Sequence, residues 1–157
     1  MEDADRPRVE AYLSSMSALP GEALTLHASS KLKSRLMLKM FREEAAAQEP
    51  LVELVLEDPG MKTCTLGMDT HGCGWPVSVD FIVPEDAASG VYRLELSLLE
   101  DDAEATYDEL RGCLYKVLLV VRAPVPRSGV LLVLSTNTYL AYNNWVRACA
   151  CCCSAVR

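Results

Sequence analysis

Six segments of this 157-residue chain alternate apolar and polar side chains with a period of two. That patterning restricts the fold more than any other feature. Successive side chains of a strand point to opposite faces, so the alternation marks sheets with one buried and one wet face. Residues 22–28 set Leu24, Leu26 and Ala28 against Thr25 and His27. Residues 35–41 set Leu36, Leu38 and Met40 against Met37, Lys39 and Phe41. Residues 51–56 divide into Leu51, Glu53, Val55 and Val52, Leu54, Leu56. Residues 75–83 turn Val77, Val79, Phe81 and Val83 one way and Ser78 and Asp80 the other. Residues 90–98 turn Tyr92, Leu94, Leu96 and Leu98 inward, with Arg93, Glu95 and Ser97 outward. Residues 114–122 close the series with Tyr115, Val117, Leu119 and Val121. A shorter apolar run at 9–13 precedes them and ends in serines and the turn pair Pro20-Gly21.

Six or seven short strands separated by turn residues predict an antiparallel sandwich. Pro84-Glu85-Asp86 and Ser89-Gly90 form a turn cluster between two strong strands. This suits the E–F corner of an immunoglobulin-like sandwich, with Tyr92 where a tyrosine corner lies. The paired cysteines of antibody domains are not recognisable. Residues 42–48 contain Glu-Glu-Ala-Ala-Ala and read as a loop, with a helical turn as the alternative. The acidic stretch 100–109 reads as a solvated loop. His27 alternates onto the polar side of its strand and is expected to be solvated.

Half of the residues are hydrophobic, enough for a sizeable core, and the formal charge is −7. An acidic chain is a poor binder of nucleic acid or of anionic membranes, since both reward excess lysine and arginine. No apolar run approaches the roughly 20 residues of a membrane helix. The N-terminal MEDADRPRVE lacks the apolar core of a signal peptide, so a cytoplasmic location is expected. Without a secretory signal, the seven cysteines do not read as a disulfide framework. Cys64, His71 and Cys73 form either a three-ligand metal cluster or a hairpin loop with incidental thiols. The first lacks a fourth ligand. Nucleophile-elbow, zinc-protease and phosphate-loop motifs do not occur.

Residues 123–129, with two prolines, read as a linker that ends a sandwich over 8–122. Beyond it lies SGVLLVLSTNTYLAYNNW, residues 128–145. Five consecutive apolar residues, 130–134, signal a strand buried on both faces. Ser135-Thr136-Asn137-Thr138 suits a tight turn at the strand's carboxyl end. In open α/β sheets ligands bind just past such ends. The fold class expected is therefore mainly β: an immunoglobulin-like antiparallel β-sandwich followed by the truncated start of an α/β domain at 130–145.

The stretch Thr136-Asn137-Thr138-Tyr139, with Ala141-Tyr142-Asn143 and Trp145, resembles the start of the catalytic domain in the N,N-dimethylformamidase large-subunit family. Upstream, Tyr12-Leu13-Ser14, Pro20-Gly21-Glu22, Trp75-Pro76-Val77 and Ser89-Gly90-Val91-Tyr92-Arg93-Leu94 resemble the domain that precedes it there. The resemblance implies an α/β catalytic domain related to glutamine-amidotransferase-like folds. It also implies hydrolysis of a small amide at a single iron held by two tyrosines and one glutamate. On that resemblance Tyr142 is the first candidate for a tyrosine ligand and Tyr139 the second, and Asn143 and Asn144 are candidate binding residues. Each has a plainer alternative: an aromatic packed on the sandwich for Tyr142, a turn or helix cap for the asparagines. Iron(III) is a hard ion that suits phenolate and carboxylate oxygens. The resemblance also implies homo-oligomers or pairing with a small subunit.

The family continues past the tryptophan with a glycine-rich segment. Here residues 146–157 are a tail, expected to be disordered, with Cys149, Cys151, Cys152 and Cys153. The reading is a truncated, alternatively spliced or frame-shifted product that lacks most of the catalytic domain, is inactive alone and binds no iron. In it the sandwich is an accessory domain of an amidohydrolase. The alternative is a non-enzymatic protein-binding module, lipid-anchored through acylated tail cysteines.

Overall fold

The structure, a computed structural model, describes residues 9–43, 49–63, 73–99, 115–125 and 129. Every regular element among them is a strand: β1 (Val9–Leu13), β2 (Ser17–Ala18), β3 (Ala23–Ser30), β4 (Leu36–Arg42), β5 (Val52–Leu56), β6 (Val79–Ile82), β7 (Gly90–Leu98) and β8 (Tyr115–Val121). They form a three-stranded sheet of order β1-β3-β6 and a five-stranded sheet of order β2-β8-β7-β4-β5. All pairings are antiparallel except β2 with β8, which is parallel. This is the immunoglobulin-like arrangement, with β1, β3 and β6 on one sheet and β4, β7 and β8 central to the other. Among the described residues there is no helix long and apolar enough to cross a membrane.

The chain falls into two compact units. One holds Pro7–Lys62 and Pro76–Pro126 and contains both sheets; the other holds Met1–Arg6, Thr63–Trp75 and Arg127–Arg157. In the first, the apolar rows of both sheets meet in one core. Leu24, Leu26 and Ala28 of β3 and Phe81 of β6 face Leu36, Leu38 and Met40 of β4 and Leu94, Leu96 and Leu98 of β7. The alternation settles the register. A slip of one residue would carry the leucine rows to the outer face, so the pairing Leu38–Leu96 and Met40–Leu94 is the one that buries them.

Two turns show how local sequence steers the chain. Pro20-Gly21 is a turn closed by the Glu22 amide donating to the Leu19 carbonyl at 3.1 Å. Gly21 sits at φ 78°, the left-handed value that a type II turn needs at its third residue. At the other end, the Tyr92 hydroxyl donates to the Ala88 carbonyl at 2.6 Å, and the tyrosine is buried. This is the expected tyrosine corner, and it ties β7 to the turn that leads into it.

The sequence expectations need three corrections. Alternation points Val77 inward, but it is half exposed because β6 begins only at Val79. Ahead of it the chain is held by Ser78 instead. The Ser78 amide donates to the Leu26 carbonyl at 2.8 Å, and its Oγ accepts from the Ala28 amide at 2.9 Å. His27 is not simply solvated. It stacks on Tyr12, its cross-strand neighbour, with ring centroids 4.7 Å apart and planes 9° from parallel. Such pairs form because directly opposed side chains share one face of the sheet. Lastly, the serine-rich break after β1 hides β2, a two-residue strand too short to show any period. Of the loop or helical turn expected at 42–48, Arg42 is the last residue of β4 and 44–48 lie outside the described residues. So do the loop at 100–109 and the strand at 130–134, and an α/β domain is therefore not seen among the described residues.

Candidate functional site

The motif residues Tyr139, Tyr142, Asn143 and Asn144 lie outside the described residues. What the structure describes is the scaffold that precedes them. β8 ends at Val121, and the Arg122 amide donates to the Ala18 carbonyl at 2.8 Å. Arg122 also forms an ion pair with Glu22 at 3.6 Å. Ala123, Pro124 and Val125 then run exposed ahead of the motif.

Of the possible cluster Cys64, His71 and Cys73, only Cys73 is described, and it is buried. Two residues on, Trp75 is buried, and its Nε1 donates to the Thr63 carbonyl at 3.2 Å. The other two candidates, Cys64 and His71, lie outside the described residues. Among the described residues no group of three His, Cys, Asp or Glu side chains stands close enough to hold a metal ion.

The outer face of the five-stranded sheet carries a polar network that alternation alone does not reveal. Arg93, at its centre, reaches Glu95 at 2.9 Å and Glu43 at 3.3 Å, and lies over the Phe41 ring at 5.0 Å. Glu95 also meets Lys116 of β8 at 3.2 Å, and Lys39 meets Glu53 of β5 at 3.2 Å. The signal lies in the register, because Lys39 stands opposite both Glu53 and Glu95, and Glu95 opposite Lys116. The Glu95 hydrogen bond, with help from Glu43, raises the pKa of the Arg93 guanidinium against the opposing effect of burial. Burial pushes the Glu95 carboxyl up, but the hydrogen bonds and charges of Arg93 and Lys116 win and hold it below its ordinary value.

A carboxylate with a lowered folded-state pKa adds stability above its unfolded pKa and loses it as pH falls through the folded one. Glu95→Gln is therefore expected to flatten the acid side of the stability profile, from about pH 5 downward. Urea unfolding of both proteins at neutral and acid pH checks this. Parallel profiles would show that the Glu95 pairing adds nothing.

Residues 42–150 match the family described as N,N-dimethylformamidase beta subunit-like, C-terminal. The chain belongs to this family. No curated protein matches the chain. The dimethylformamidase-like match begins at the last residue of β4, takes in β5 to β8, and runs on through the Tyr139–Tyr142 motif. The sequence resemblance to this family therefore holds. It is legible in Thr136-Asn137-Thr138-Tyr139 and the tyrosine-corner strand, not in any single catalytic signature. The network around Arg93, which sequence reasoning missed, lies inside the matched span.

Proposed function

We propose that the sandwich is the accessory domain of an N,N-dimethylformamidase-like amidohydrolase, whose intact catalytic unit cleaves a small amide at iron. One observation carries this reading. A single family match runs without a break from the sandwich strands into the motif at 136–145, so the family carries the two together. In this reading Tyr142 is the first candidate iron ligand, Tyr139 the second, and Asn143 and Asn144 are candidate binding residues. Phenolate oxygens match the hardness of iron(III), and an iron with open positions would polarise an amide carbonyl.

The sandwich supplies rigidity. Its core is closed by both sheets, and β8 delivers the chain to the motif from a fixed end. The second reading is a protein-binding module that works without the amidohydrolase unit. It is favoured by the fact that the core draws its buried side chains from the two sheets.

Metal analysis and formamide turnover on the purified 157-residue chain test the two together with a deletion. The accessory-domain reading expects no iron and no turnover from this chain. It also expects a cooperative unfolding transition that persists when residues 129–157 are removed. Bound iron lost in Tyr142→Phe would make the chain itself an enzyme. Unfolding of the deleted chain would show that the sandwich is not a separable accessory.

A further inference from the structure

Among the described residues β5 is a margin of the five-stranded sheet. Margins present a row of backbone donors and acceptors ready for another strand, and proteins usually blunt them with lysine, proline or a bulge. Val52–Leu56, VELVL, holds neither lysine nor proline. Its one charge, Glu53, is engaged by Lys39. Val55 is 45% exposed on the outer face, and Leu51 just ahead of it is 39% exposed. On the inner face Val52 and Leu54 pack against the core yet remain only partly buried. Both faces of the strand are thus left with apolar surface that a neighbouring strand would cover.

We propose that β5 pairs antiparallel with β5 of a second copy of this chain, about a two-fold axis through Leu54, joining two sheets edge to edge. The argument rests on register and charge. Directly opposed residues of a sheet share a face, so an axis normal to the sheet must pass through a residue, not between two. An axis at Glu53 sets that carboxylate against its own copy. An axis at Val55 sets Glu53 against Glu57. The axis at Leu54 opposes Glu53 to Val55 and Glu57 to Leu51, so no carboxylate faces another. It also overlaps the whole strand and lays the inner row apolar to apolar, Val52 on Leu56 and Leu54 on itself. A C2 contact of this kind closes on itself and does not propagate into a fibre.

Val55 decides the test, because in the dimer it faces Glu53 of the second copy, twice by symmetry. Sedimentation velocity of the full chain over a concentration series is expected to show a monomer–dimer equilibrium. Val55→Glu should weaken dimerisation about tenfold relative to Val55→Lys, since opposed like charges destabilise a cross-strand pair and opposite charges support it. Added salt should shrink that difference. Val55 faces solvent in the monomer, and matching unfolding midpoints for the two variants would confirm that both fold. A natively folded chain that stays monomeric throughout the series would overturn the proposal. So would a dimer affected equally by the two charges, or one weakened as much by Ile82→Lys on the other sheet.

Discussion

Leu38→Ala is expected to lower the unfolding free energy by about 3–4 kcal/mol, a large share of what holds a domain together. Leu38 is fully buried in β4, with Leu54 of β5 on one side and Leu96 of β7 on the other. Its side chain points into the space between the two sheets, where β3 lays down Leu26 and Ala28. Truncation there removes apolar contact and leaves a void that a backbone held by ladders on both sides cannot collapse to fill. Chemical denaturation at neutral pH checks the value. Met37→Ala, one residue away on the outer face, should cost far less. A loss under about 1 kcal/mol for Leu38→Ala would mean that the two sheets do not close on a common core.

Tyr92→Phe is expected to cost about 1–2 kcal/mol, although it removes a single oxygen. The ring keeps its packing, so the loss reports the hydrogen bond to the Ala88 carbonyl. The phenylalanine variant takes away the donor that ties this carbonyl, at exposed Ala88, to the buried strand. Tyr92→Ala should lose about 3–5 kcal/mol, as ring burial is removed too. Comparing the two variants by thermal unfolding separates corner from core. A phenylalanine variant as stable as the parent would show that the corner is only a packing feature.

The strands are legible in sequence wherever their two faces differ. β3, β4 and β7 have buried rows of Leu24-Leu26-Ala28, Leu36-Leu38-Met40 and Tyr92-Leu94-Leu96-Leu98, and each row can be read from the alternation. Tyr92 is legible as a corner because its turn cluster precedes it. β2 is not, because two residues carry no period, and its place depends on β8, about a hundred residues away in sequence. Val77 is misplaced by its pattern because alternation does not say where a ladder begins. Here hydrogen bonds from Ser78 position the backbone just before it does. The Arg93 network is hidden for a related reason. Which acid meets which base is a matter of register between strands, and one strand's pattern does not contain it. The candidate site is legible only as a motif with a family resemblance. The family match upholds the resemblance, while the roles of Tyr139, Tyr142, Asn143 and Asn144 rest on chemistry that composition and spacing cannot supply.

The first ten residues of the sandwich have a mechanical consequence. β1 lies antiparallel to β3 in one sheet, and β2, three residues later, lies parallel to β8 in the other. The chain therefore crosses from sheet to sheet before it has made its first turn. Under tension between its two ends, the antiparallel β1 would peel one bond at a time. The parallel β2 and β8 would be pulled in opposite directions along their length. Their bonds, Val120 amide to Met16 carbonyl at 2.9 Å and Arg122 amide to Ala18 carbonyl at 2.8 Å, would be sheared together. A strand of two residues thus acts as a latch, and the sandwich resists stretching where its sequence looks weakest.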